Sequence, residues 1–108
     1  MPHLRKTLSA STVMDFKVEN YAKENLGKIK DLMIDLASGR VAYAVLFFGG
    51  TWGMGEKLFS IPWSQLKLDA EREGIFILDI PKEKFDEARG FNKDQWPDVV
   101  DPDWKLQT

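Results

Sequence analysis

Nine consecutive residues, Arg40–Phe48, read RVAYAVLFF and constrain the fold more than any other stretch. The run is too short to cross a bilayer, and its branched and aromatic content favours strand over helix. Alternation places Val41, Tyr43, Val45 and Phe47 on one face and Ala42, Ala44, Leu46 and Phe48 on the other. Both faces are apolar, so the strand is expected to be central and covered on both sides. One cover is a sheet interior. The other is a helix, the chain's own tail or a partner.

The flanks extend this strand into a meander. Gly27–Leu36 reads as a preceding strand, with Leu32, Ile34 and Leu36 facing one way and Met33 and Asp35 the other. Ile29 is out of phase with Leu32, and a bulge at Lys30-Asp31 reconciles them. Ser38-Gly39 supplies the tight turn between the two strands. Upstream, Ser9–Val18 reads as a first strand with a bulge or turn near Met14-Asp15, and Glu19–Asn25 as a polar connection. Downstream, Gly49–Gly55 is a glycine corner, Glu56–Pro62 a fourth strand and Pro62–Leu66 a short helical turn. Asp69–Gly74 is a charged turn. A fifth strand spans Gly74–Ile80, with Phe76, Leu78 and Ile80 on one face. Pro81 is expected to begin a helix that Gly90 stops. The fold class is mainly β: a small, strongly bent antiparallel barrel with one short C-terminal helix and an aromatic tail.

The 108 residues suffice for one domain. Three spans are expected: a frayed terminus over 1–8, the barrel over 9–90, and a tail over 91–108 that packs on the barrel or on a partner. Phe91, Trp96 and Trp104 give that tail more aromatic area than a disordered segment carries. A net charge of −2 weighs against nucleic acid as the partner. Cysteine is absent, which suits a reducing cytoplasm. Neither a membrane span nor a signal peptide is expected.

Few residues offer chemistry. Gly50 and Gly55 have phosphate-loop spacing, but Glu56 stands where that loop needs lysine. The corner therefore reads as structural, with Trp52 and Met54 as candidate partner contacts. Asp31, Asp35 and Asp79 read as solvated charges and not as a catalytic pair. Asp94, Asp98, Asp101 and Asp103 lack the spacing of a calcium loop. The single histidine, His3, cannot build a metal site or a triad alone. No catalytic residue, metal or cofactor is expected. Lys23, Lys28, Lys30 and Arg40 could share a surface with the aromatic corner and contact RNA.

Four segments resemble the stand-alone bacterial PRC-barrel proteins: LGKIKDLMIDLASGRVAYAVLFFGG, GMGEKLFSIPWSQLKLD, FILDIPKEKF and GFNKDQWP. The likeness runs from about Ala10 to Pro97. It implies a small bent β-barrel shared with the cytoplasmic part of the photosynthetic reaction-centre H subunit and with a ribosome-maturation factor. What those relatives have in common is protein–protein contact, with no family-wide catalytic residue. Where the family often has Ala-Pro-Gly-Phe-Asp, this chain has Ala88-Arg89-Gly90-Phe91-Asn92, so a different local turn is expected. The membrane helix of the photosynthetic relative is not in this sequence, and a reaction-centre role is not expected. The resulting expectation is a non-enzymatic adaptor that forms a homodimer, with Phe48, Trp52, Met54, Trp96 and Trp104 as partner contacts. RNA or ribosome association, and small-ligand binding inside the barrel, are the alternatives.

Overall fold

The computed structural model describes residues 7–49, 57–88 and 90. The elements are α1 (Ala10–Val13), β1 (Lys17–Glu19), β2 (Asn25–Asp35), β3 (Arg40–Phe48), β4 (Lys57–Pro62), a 3-10 turn (Trp63–Gln65), β5 (Lys67–Leu68), β6 (Ile75–Ile77) and α2 (Lys82–Glu87). One six-stranded sheet runs in the order β4-β3-β2-β1-β6-β5 and curls into a half-barrel. Every neighbouring pair is antiparallel except β1 and β6, which run parallel.

The long strand β2 serves both halves of the curl. Its first residues pair with β1, and from Lys28 onward it pairs with β3. Two irregularities bend it. Lys30 is left without a partner between Ile29↔Leu46 and Asp31↔Val45, which is the bulge expected at that position. Gly27 has φ +124°, and a Cβ there would lie 2.0 Å from the Phe47 carbonyl oxygen. Only glycine permits that approach of β2 to β3. A second shift, between Met33 and Ile34, leaves the distal end of the hairpin off the core. Leu32 packs against the core, whereas Ile34 and Leu36 are exposed. Gly39, at φ +75°, closes the turn by donating its N–H to the Asp35 carbonyl at 2.7 Å.

The segment read as a first strand divides differently. Ser9 caps α1, its Oγ accepting the Thr12 N–H at 3.1 Å, and pairing starts only at Lys17. The local serine cap outweighs the strand tendency of Val13, and the turn at Met14-Asp15 falls as expected, with Asp15 at φ 69°. Leu8, before the cap, lies against the core. The fifth strand contracts to Ile75–Ile77, although Phe76 and Leu78 do face inward. β5, only two residues long, was not legible in the sequence.

The concave face holds the core. α2 inserts Phe85, fully buried, between Phe48 and Phe59, with ring centroids 5.7 and 5.1 Å away. The Lys57 ammonium then donates to the Phe85 and Asp86 carbonyls at 3.1 and 2.7 Å, placing a cation at the helix C-terminus. Trp63 and Phe16 pack on Phe76 at the other end, each with centroids 5.6 Å from it. The convex side of β3 is buried as well: Tyr43 and Val45 are at most 1% exposed within the single chain. Both faces of β3 are therefore covered as expected, and the central positions need no second copy to cover them. No helix among the described residues is long and apolar enough to cross a membrane.

Three substitutions test this framework. Gly27→Ala is expected to cost about 3 kcal/mol or more, against about 1 kcal/mol for Gly39→Ala, whose added methyl meets open space. Phe85→Ala is expected to cost about 3–5 kcal/mol. Urea denaturation of the three variants gives these values directly.

Candidate interaction surface

Of the side chains expected to meet a partner, only Phe48 falls among the described residues. It is 4% exposed and stacked on Phe85, so it shapes the core and shows only a sliver at the edge of a groove. That is a correction: on a strand apolar on both faces, alternation alone cannot say which face is the interior. Trp52, Met54, Trp96 and Trp104 lie outside the described residues, as do His3 and the four tail aspartates.

The acidic residues do not converge. The Asp31 carboxylate accepts the Leu32 N–H, and Asp35 accepts the Ala37 N–H inside the hairpin turn. Asp79 is exposed after β6. Among the described residues no three acidic or histidine side chains are placed to hold a metal ion.

The four basic residues separate into groups. Lys28 and Lys30 stand together beside Phe47, with Nζ atoms 5.9 and 6.0 Å from the ring centroid. Arg40 pairs with Asp35 at the far end of the hairpin, roughly 23 Å along β3 from the Phe47 level. Lys23 lies in the β1–β2 turn at φ 64°.

That turn is clasped to the segment before α2. Asn20 is the buried polar side chain here, and each of its polar atoms is used. Its Nδ2 donates to Glu24 Oε1 at 2.8 Å and to the Ile80 carbonyl at 3.1 Å, and its Oδ1 accepts the Glu24 N–H. The Lys82 N–H also donates to Glu24 Oε1. A second brace joins Arg72 to Asp69 at 2.7 Å and to Glu19 at 3.0 Å. Asp69 also accepts the Glu71 and Arg72 N–H groups.

Three surface features result. At the hairpin tip, Ile34 and Leu36 project into solvent, Leu36 at 92% exposure. Exposed Tyr21 and Leu68 flank a shallow groove of about 390 Å³ that also includes Lys23, Lys67 and Arg72. Across the sheet, a groove of about 340 Å³ has Lys17, Lys28 and Lys82 around Leu26, Phe47 and Phe48. Periodicity marks apolar runs and glycine turns, but it cannot bring the lysines of three separate elements together, so the sequence showed no sign of this last groove.

The clasp and the brace carry a pH dependence. The Asn20 side-chain hydrogen bond holds the Glu24 carboxyl below its ordinary value. The backbone N–H of Glu71, and then Arg72, do the same for Asp69. A folded value below the unfolded one stabilises the fold above the unfolded pKa, and the stabilisation disappears as pH falls through the folded value. Unfolding free energy is therefore expected to decline as pH falls below about 4.5. Asn20→Ala should flatten the share due to Glu24, as read by urea titrations at successive pH values.

The family described as the PRC-barrel domain matches residues 6–85. No curated protein matches the chain. Among solved structures, the 16S ribosomal RNA processing protein RimM of Pseudomonas aeruginosa is similar, with a TM-score of 0.45 and 16% identity over 73% of this chain. The match covers 47% of that protein, so the chain spans about half its length.

Proposed function

The chain belongs to the PRC-barrel domain family, and from that premise we propose that it is a non-enzymatic protein-interaction module, an adaptor that acts by contact. The observation that carries this reading is the tip of the β2–β3 hairpin. Ile34 and Leu36 stand in water there, 49% and 92% exposed. Burying such a side chain contributes about 1.5–3 kcal/mol. The turn beneath them is held by the Gly39-to-Asp35 bond and by the Arg40 N–H donating to Ser38 Oγ at 3.2 Å. A tip already fixed loses little entropy when a partner binds. The surroundings are polar, with Asp35 and Arg40 at the rim, the arrangement of an interface centre.

The homodimer expected from the sequence loses its original motive, because Tyr43 and Val45 are covered within one chain. The hairpin tip is one surface that a second copy could still use. Trp52 and Met54 in the glycine corner, and Trp96 and Trp104 in the tail, stay in the proposal as further partner contacts. The small-ligand alternative is weakened by the interior, which Leu46, Phe48, Phe59 and Phe85 fill. The RNA alternative is weakened by the separation of Arg40 and Lys23 from Lys28 and Lys30. A cytoplasmic setting accords with the lack of cysteine.

A photo-crosslinking residue placed at position 36, with position 83 on α2 as the control, tests the reading in the native cell. A discrete protein adduct is expected from 36 and not from 83. Leu36→Asp is expected to shift folding stability by no more than about 0.5 kcal/mol, as an exposed position should, and to prevent the adduct when combined with a crosslinker at position 34. Equal labelling from 36 and 83, or none, would overturn the adaptor reading. An adduct with a second copy alone would restore the homodimer.

A further inference from the structure

We infer that the groove formed by Lys17, Lys28, Lys82 and Phe47 is a docking site for a short acidic peptide segment bearing an apolar or aromatic side chain. The inference builds on the contact-based reading but concerns a different surface from the hairpin tip, so either can fail alone.

Three observations carry it. First, the register of β1 against β2 sets Lys17 directly opposite Lys28. Like charges facing each other across a ladder destabilise it, and the chain only partly offsets this one. Asp15 lies 3.5 Å from Lys28, with both side chains at least half exposed, where such pairs contribute little. Second, among the described residues Lys17, Lys30 and Lys82 have no carboxylate within salt-bridge distance. Glu24, the carboxylate beside Lys82, is already engaged by Asn20 and by the Lys82 N–H. Lys17 and Lys30 therefore face solvent with their charge largely unspent, while Lys82 has only its electrostatic interaction with Glu24. Third, the half-buried Phe47 ring and Gly27 put an apolar patch between them, beside the polar Asn25. A cleft of about 340 Å³ is large enough for one side chain but not for a folded surface.

Charge decides between the two polyanions that could use such a groove. A nucleic acid would draw affinity from many phosphate contacts and from an overall positive field. This chain carries a net −2, and its usable cations here number four with Lys30. The Phe47 ring has two ammonium groups over it, so it serves as an anchor for cations and not as an open stacking platform. A few carboxylates flanking one apolar side chain match both the number of charges and the size of the patch. Carboxylates bound here would also relieve the Lys17–Lys28 repulsion, so the fold itself would gain from occupancy.

The test is an NMR titration of the full chain with the capped peptide Glu-Asp-Phe-Glu-Asp. A lysine-for-acid version and an eight-nucleotide uridine oligomer serve as comparison probes. Saturable shifts confined to Lys17, Leu26–Lys28, Phe47 and Lys82 are expected, with an apparent Kd below about 1 mM. Lys28→Glu and Lys82→Glu should each weaken binding about fivefold or more, Lys28→Arg should retain it, and Lys84→Glu, outside the groove, should leave it unchanged. Far-UV circular dichroism confirms that each variant is folded. Absence of saturable shifts, equal weakening by Lys84→Glu, or tighter binding of the uridine oligomer at the same residues would overturn the proposal, the last by making the groove a nucleic-acid site. A crosslink at position 36 with no peptide binding here would leave the adaptor reading intact and remove this one.

Discussion

The curl of this sheet depends on one strand belonging to two ladders. β2 must pair with β1 at its start and β3 along its length, and the two neighbours do not lie in one plane. A regular strand would hold them flat. Gly27, pressed against the Phe47 carbonyl, and the unpaired Lys30 release that restraint within four residues of each other. Once the sheet is bent there, its concave side can close over Val18, Ile29, Leu46 and Phe76 as one core. Without the bend, β6 could not reach β1 to form the parallel pair that completes the order.

The helix then seals the bend. Phe85 places an aromatic ring against two others, and Lys57 ties the helix end to the start of β4. On the opposite approach to the helix, Asn20 and Glu24 fix the β1–β2 turn to the backbone at Ile80 and Lys82. These two ties hold α2 in place, and with it Lys82 at the edge of the cationic groove. The groove is a consequence of how the core closes. Its lysines come from β1, β2 and α2, and only the packing of Phe85 and the clasp at Asn20 brings the third beside the other two.

A domain of this size that fills its own interior has only its exterior to work with. Two features of the described exterior carry the proposals. One is an apolar pair on a rigid tip. The other is a cluster of ammonium groups with few anions to meet them. Each is a surface whose free energy falls when something else covers it.

Much of the fold was legible from periodicity and glycine placement. The limits of β3, the bulge at Lys30, the turn at Gly39, the 3-10 turn after Pro62 and the inward faces of Phe76 and Leu78 follow from side-chain alternation and from φ preferences, which are local properties. Local information failed where two local signals competed, as when the Ser9 cap turned an expected strand into α1. It also failed where meaning depended on distant neighbours. Phe48 and Phe47 are adjacent and chemically alike, yet one is buried in the core and the other stays half exposed, because only the direction of the bend decides which face is inside. The sequence by itself determined that this chain forms a bent sheet with a central strand apolar on both sides. The tertiary structure decided which side chains remained outside and which charges became neighbours, because those depend on contacts between separate elements, and no local pattern carries them.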